Sequence, residues 1–270
     1  MLAEERRQYI LELLETDRRV VAKDLAAKFG LSIDSIRRDL TIMEEQGLLQ
    51  KTYGGAIPLA PPPQVRKLAQ PPSTRYGRGA PHQNGISKLA ASWIQEGDTV
   101  FIGGAGIHYG MLKYLPDDIP YTVVTNSLAI AESIRNRPRV EAYLVGGKLR
   151  ASSDNLTDTI AFEMIGKFHF DIGFITGGGI SASGVSTATP EGAAFTRAVA
   201  EASRRTICLA PHEKLGVTMF ATSVPLQRIG LMITDQGASE KAIREFESLN
   251  VNVIIADDAH PSEGADHESD

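Results

Sequence analysis

From residue 83 onward, near-continuous apolar runs alternate with stretches that are apolar only at helical spacing. The runs are "DTVFIG", "YTVVTN", "VEAYLVGG", "DIGFITGG", "RTICLAP", "IGLMITD" and "VNVIIAD", and each predicts a strand. Helices are predicted at 86–95, 128–135, 160–168, 191–202 and 239–249. Buried strands separated by amphipathic helices imply a largely parallel sheet covered on both faces. Ligands in such sheets bind outside the carboxyl ends of the strands, and here glycines and small polar residues gather at those ends.

The first 58 residues follow a different pattern. Leu2, Ile10, Leu13 and Leu14, with Tyr9 alongside, form one helical stripe. A short helix over 21–29 turns Leu25 and Phe29 inward, and Gly30 is placed to end it in the left-handed conformation. "LSIDSIRRDL" then starts a third helix, with Ser32 or Asp34 as its cap. Two helices joined by a glycine-containing turn make a helix-turn-helix. On a wheel, Ile33, Ile36, Leu40 and Met43 form the apolar back of the third helix. Arg38 lies opposite, flanked by Asp34, Ser35 and Thr41, while Arg37 and Asp39 sit at the stripe's edges. That is the layout of a recognition helix, with Ser35 and Arg38 reaching base edges and Arg37 a phosphate. The competing reading of "IRRDL" is a solvated face with an Arg–Asp pair. "GLLQKTYGGAIP" predicts a hairpin anchored by Leu48 and Leu49, turning at Gly54–Gly55. It would act as a wing, laying Lys51 and Tyr53 along the DNA.

The pattern divides the chain into a winged helix-turn-helix at 1–58, a Pro-rich basic linker at 59–82, an α/β domain at 83–257 and an acidic tail at 258–270. The tail is expected to be disordered. The linker carries Arg66, Lys67, Arg75 and Arg78 with no acid, and reads as either a solvated connector or an arm on DNA phosphates. The whole chain has 270 residues and a formal charge of −5, so any nucleic-acid surface is local. One cysteine, Cys208 in "TICLA", excludes an internal disulfide and fits a core position. The start "MLAEERRQYI" lacks a secretory apolar core and no stretch is long enough for a membrane span, so a cytoplasmic protein is expected.

The segments "ERRQYILELL", "VAKDLAAKFGLSIDSIRRDLTIMEEQGLL" and "KTYGGA" resemble the DeoR family of bacterial transcriptional regulators. The likeness continues more loosely through "TNSL", "LVGGKLR", "FDIGFITGGGI", "GVST" and "LAPHEKLG". It implies an operator-binding domain followed by a sensor domain similar in fold to sugar-phosphate isomerases. The expected function is a repressor of carbohydrate-catabolic genes acting on double-stranded operator DNA as a homo-oligomer, dimer or tetramer. The DNA-contacting set is Ser32, Asp34, Ser35, Arg37, Arg38, Thr41, Lys51 and Tyr53. The effector, a phosphorylated sugar or related anion, is expected at Gly103, Gly104, Ala105, Gly106, Ile107 and His108, with Thr125, Asn126 and Ser127. Gly146, Gly147, Lys148, Gly178, Gly179 and Lys214 complete that set. The chain departs from the family where an Asp and a Gly-Thr-Thr commonly follow the first sensor strand, since Gly103 to Ile107 stand there. Pro211 replaces a usual Asp, and Ile86 a common lysine. Lys214 is retained as the cationic phosphate contact. These changes imply a divergent effector or a weakened response. His108 reads either as a replacement donor or as an exposed first-turn histidine.

The glycine-rich stretch "FIGGAGIHYG" also tests other chemistries. A dinucleotide fingerprint fails, because Gly110 comes one residue too late after Gly104 and Gly106 and the second strand ends in Thr125–Asn126 without an acid. No Walker-type Gly-Lys-Ser/Thr is present, so neither NAD nor ATP is expected, and no cofactor at all. Isomerase chemistry needs a paired acid and base. Asp154 and Glu191 have no evident partner, and Glu191 fits the helix dipole at 191–202. Histidines at 82, 108, 169, 212, 260 and 267 show no metal-ligand spacing, and no metal is expected. A binding module is therefore favoured over the alternative, a sugar-phosphate isomerase-like enzyme with a DNA-binding appendage.

Overall fold

The computed structural model describes residues 3–17, 19–45, 48–58, 72–150 and 154–259. Two compact units emerge, Met1–Pro63 and Gln64–Asp270. The first contains α1 (Ala3–Asp17), β1 (Val20–Val21), α2 (Ala22–Phe29), α3 (Ile33–Glu45), β2 (Leu49–Thr52) and β3 (Gly55–Pro58). Its core joins Ile10 and Leu14 of α1, Leu25 of α2, and Ile36, Leu40 and Met43 of α3 to Leu49 and Ala56 of the hairpin. Gly30 ends α2 at φ 65°, and the N–H of Leu31 bonds the Ala26 carbonyl. This is the left-handed cap that a side chain disfavours.

Three expectations for this unit change. Ile33 is 39% exposed, because as the first residue of α3 it has no preceding turn beside it. Leu48 is 42% exposed while Leu49 is buried, as alternation along a strand requires. The wing turns at Tyr53–Gly54, leaving Gly55 in β3 opposite Val21. A side chain at Gly55 would collide with the backbone of Val20. The pairing of β1 with β3 makes the wing part of a three-stranded sheet. Leu2 lies outside the described residues.

The second unit opens with α4 (Pro72–Tyr76) and α5 (Pro81–Ala91), in a stretch expected as connector. Tyr76 is buried, its hydroxyl 2.5 Å from Asn84 Oδ1. Next come β4 (Thr99–Ile102), α6 (Gly106–Met111), β5 (Tyr121–Thr125), α7 (Leu128–Ile134) and β6 (Val140–Leu144). A small hairpin follows, β7 (Leu149–Arg150) with β8 (Asn155–Leu156), then α8 (Thr159–Ile165) and β9 (Phe170–Ile175). The remaining elements are β10 (Gly179–Ser181), β11 (Gly184–Thr187), α9 (Pro190–Ala202), β12 (Ser203–Leu209), β13 (Ala221–Val224), β14 (Leu231–Asp235), α10 (Glu240–Ser248) and β15 (Val253–Ala256). Asp258 and Ala259, expected in the tail, are still ordered onto the fold, with the Ala259 N–H bonding the Pro81 carbonyl. Residues 260–270 of the expected tail and 59–71 of the expected linker lie outside the described residues.

All seven predicted strands pair in parallel in the order β15-β14-β12-β9-β4-β5-β6. Alternate residues serve the two faces. Val100 and Ile102 pack with Ile86, Met111 and Ile130 of α5, α6 and α7. Phe101 packs with Ile165, Phe195 and Phe246 of α8, α9 and α10 on the other side. A separate antiparallel sheet, β10-β11-β13, lies outside this scheme. From β4 the chain steps outward to β5 and β6, then returns to β9 on the other side. The carboxyl ends of β4 and β9 thus flank the switch point where such sheets bind ligands.

Candidate functional site

On the DNA-reading side, the Ser32 hydroxyl caps α3 by accepting the Ser35 N–H at 3.2 Å. The two hydroxyls lie 2.9 Å apart. Asp34 and Arg37 form an exposed pair at 3.4 Å, which is weak in solvent. Arg38 is exposed, and among the described residues it has no ion pair. Thr41 Oγ1 accepts from Lys51 Nζ at 2.7 Å, tying the wing to α3, and Tyr53 stands fully exposed at the wing's tip. The solvated Arg–Asp pair considered for "IRRDL" does not form with Asp39. That carboxylate is buried and clamped by Arg6 at 2.6 Å and Arg7 at 3.0 Å. The clamp fixes α1 against α3 and takes two cations out of the phosphate-binding inventory.

On the sensor side, the glycine turn follows β4 and leads into α6. Its carbonyls are engaged: Gly104 O accepts Arg75 Nη2 at 2.7 Å and Asn155 Nδ2 at 3.3 Å. Gly103 O lies 3.1 Å from His108 Nδ1. His108 is 4% exposed, which removes the reading of an exposed first-turn histidine. Burial, with the charges of Lys214 and Arg75, lowers its pKa to about 4 against the pull of the Gly103 and Ile175 carbonyls. Lys214 Nζ reaches Thr176 Oγ1 at the end of β9, 3.3 Å away. Burial brings the Lys214 pKa down to about 8, with Arg75 adding to the effect and Cys208 and Glu213 opposing it. The exposed Arg75, the half-buried Lys214 and a neutral imidazole therefore converge on the turn, and an anion is the complementary ligand.

Asn126 and Asn155 close another side. Each has a buried Oδ1 without a hydrogen-bond partner among the described residues. Thr125 and Ser127 serve local structure instead. Thr125 Oγ1 accepts the Ser127 N–H, and the Ser127 hydroxyl caps α7. Gly147 and Lys148 are held at the start of α8, where Asp158 accepts the Lys148 N–H at 3.1 Å, and the Lys148 side chain is exposed. The Gly146 N–H points to Met164 Sδ. Gly178 and Gly179 pair with Ser186, beside Met219. A side chain at Gly104 would strike the Asn155 amide, and one at Gly110 would strike the Tyr76 ring. Sequence reasoning missed Arg75, Tyr76, Asn155 and Thr176. The spacing of an aromatic residue against helix glycines was a signal for α4, while Asn155 and Thr176 gave none.

Comparison with known families settles what this architecture belongs to. The DeoR-like helix-turn-helix domain matches residues 6–60, and the DeoR C terminal sensor domain matches residues 80–236. The chain belongs to the DeoR family. HTH-type transcriptional repressor GlcR of Bacillus subtilis is 31% identical over 95% of the chain and 98% of that protein. Transcriptional repressor AccR of Agrobacterium fabrum is 27% identical over 94% of the chain and 97% of its own length. The regulator GlpR of Haloferax volcanii is 28% identical over 94% and 98%. This DeoR protein is a DNA-binding transcriptional regulator with a sensor domain, and the enzyme alternative is set aside. Among solved structures, ribose 5 phosphate isomerase A of Neisseria gonorrhoeae aligns at 13% identity and a TM-score of 0.36, covering 49% of this chain and 52% of that one. The beta subunit of eIF2B from Chaetomium thermophilum aligns at 13% identity and a TM-score of 0.40, covering 56% and 47%. Likeness at that level carries no argument about function. Among the described residues, no helix is long and apolar enough to cross a membrane.

Proposed function

We propose that this regulator is a cytoplasmic repressor of carbohydrate-catabolic genes whose effector is a phosphorylated sugar or related anion held at the Gly103–Gly106 turn. The observation that carries the reading is the convergence of Lys214 and Arg75 on that turn, at the switch point between β4 and β9. With the family's usual acid and threonine hydroxyls absent, the phosphate supplies most of the binding, and Asn126 and Asn155 offer acceptors to the sugar hydroxyls. Calorimetric titration with a panel of sugar phosphates and the matching free sugars tests this. Phosphorylated ligands bind and free sugars do not, and Lys214→Ala and Arg75→Ala each weaken binding roughly 10–100-fold, as loss of a charge-assisted hydrogen bond implies. Gel shift on the chain's own upstream DNA should respond to the same ligands, since an effector acts only through unequal affinity for two states. Equal binding of free sugar, or indifference to both substitutions, overturns the reading.

The same proposal includes a homo-oligomer. One recognition helix reads a half-site, and strong discrimination needs two related by symmetry. The sensor sheet ends in β6, an edge strand exposed along most of its length. Tyr143 and Leu144 are exposed on opposite faces of it, and Leu149, Ile160 and Phe162 are exposed nearby in sequence. An edge strand with exposed apolar side chains and no further strand beside it among the described residues suits pairing with a second copy of the chain.

A further inference from the structure

Beside the sensor turn, the fold gathers four potential ligands that are scattered in the sequence. His82 stands in the first turn of α5, His212 and Glu213 in the 3-10 turn His212–Lys214 after β12, and Asp235 at the end of β14. One donor atom from each lies within 4.8 Å of all the others. His212 Nδ1 is 2.7 Å from Asp235 Oδ1, and Glu213 Oε2 is 3.5 Å from both His212 Nδ1 and His82 Nε2. Despite that proximity His82 Nε2 makes no hydrogen bond among the described residues, although it is shielded from water. The imidazole rings are 5.0 Å apart and tilted by 55°.

The carboxylates are oriented by further hydrogen bonds from backbone N–H groups and a neighbouring amide. Asp235 is fully buried, with Oδ2 accepting the His212 N–H at 2.8 Å and Oδ1 the Gly237 N–H at 2.9 Å. A side chain at Gly237 would collide with the His212 ring, so glycine permits this close approach. Glu213 Oε1 accepts Gln83 Nε2 at 3.2 Å, which leaves Oε2 facing the histidines. Outer hydrogen bonds of this kind orient metal ligands. A plain ion-pair network would give His82 Nε2 an aligned acceptor.

We propose that His82, His212, Glu213 and Asp235 form a binding site for a divalent transition-metal ion of the Zn²⁺ class. Two imidazole nitrogens and two carboxylate oxygens match the borderline preference of Zn²⁺ and disfavour Mg²⁺ and Ca²⁺, which take oxygen ligands. Bonds of about 2.0–2.1 Å at tetrahedral angles put ligand atoms roughly 3.3 Å apart. Two of the separations already lie at 3.5 Å, and the His212–Asp235 pair opens slightly as the neutral ring carries its proton on Nε2 and turns the Nδ1 lone pair to the ion. The ion would clip the start of α5 to the ends of β12 and β14, fixing the turn from which Lys214 projects. This site and the effector site use different side chains, so either can fail without the other.

The test uses the full chain, stripped with chelator and dialysed, then titrated with Zn²⁺ in competition with a chromophoric chelator. One equivalent binds, and thermal unfolding at a hundredfold excess over Kd rises by about 5–10 °C. Co²⁺ gives the intense visible absorption of a four-coordinate site. His82→Gln and His212→Gln each weaken Zn²⁺ binding by at least roughly 10–100-fold, the cost already seen for lost outer partners. Glu213→Gln, which keeps the shape, does the same, while H260Q/H267Q binds as the parent does. Circular dichroism of each metal-free variant establishes that it is folded. Absence of stoichiometric binding, retention of it in the folded His82→Gln and Glu213→Gln variants, or its loss in H260Q/H267Q overturns the site.

Discussion

Burial sets the chemistry of His108. With its pKa lowered to about 4 the ring stays neutral in the folded protein, whereas the unfolded chain takes up a proton below about 6.5. The unfolded state therefore binds more protons between those values, and stability contributed by the neutral ring is lost as pH falls from 6.5 through 4. The span corresponds to about 3 kcal/mol. Urea unfolding followed by Trp93, the only tryptophan of the chain and part of the sensor unit, should show a midpoint falling over that window. His108→Gln should flatten the fall, and a parent midpoint that does not move would remove the assignment. Lys214 gives the complementary pH effect on binding. Its pKa near 8 means that anion affinity declines as pH rises through 8, because the empty site loses its charge there. Arg38 carries the DNA prediction. Arg38→Ala should erase the preference for operator over random DNA, at about 1–3 kcal/mol per half-site, without changing stability. Roles set by alternation and helical periodicity, such as Ile36 inward and Arg38 outward, could be read from the sequence. Asp39 could not, because its partners Arg6 and Arg7 sit a whole helix away.

Among the elements, the parallel strands were legible because each is a continuous apolar run long enough to be buried on both faces. The short sheet β10-β11-β13 was not, since its strands span only 3, 4 and 4 residues and are rich in glycine and hydroxyl side chains. Helix α4 was hidden by its proline-rich surroundings. Its docking rests on glycines: α6 presents Gly106 and Gly110 where Arg75 and Tyr76 lie. Gly110→Ala should displace the Tyr76 ring, move Arg75 from the Gly104 carbonyl and lower effector affinity while leaving DNA binding intact. Titration beside gel shift checks this, and unaltered effector affinity would show that α4 does not shape the site. In the DNA-binding unit the Arg6–Asp39–Arg7 clamp joins α1 to α3. Asp39→Ala leaves two cations facing a buried gap, and denaturant unfolding should report a loss of about 3–5 kcal/mol.

At the scale of the whole molecule, the two ends of the sensor sheet are unlike. Beyond β12, the strands β14 and β15 continue the sheet with α10 packed against it through Phe246, whereas β6 ends it as an edge strand exposed along most of its length. An isolated apolar edge is a liability that proteins cover, and a regulator that must present two recognition helices has a use for the covering copy. If β6 pairs with β6 of a second chain, a charge placed in the strand separates the copies without touching the effector site. Leu144→Lys should convert the protein to a monomer in analytical ultracentrifugation. Operator affinity should then fall by about 10²–10⁴-fold, the advantage lost when two linked half-site contacts become independent. Effector titration should be unchanged, because Lys214, Arg75 and the glycine turn lie at the switch point and not at this edge. A Leu144→Lys variant that remains oligomeric places the interface elsewhere. A parent protein that is monomeric both free and on its operator removes the oligomer itself.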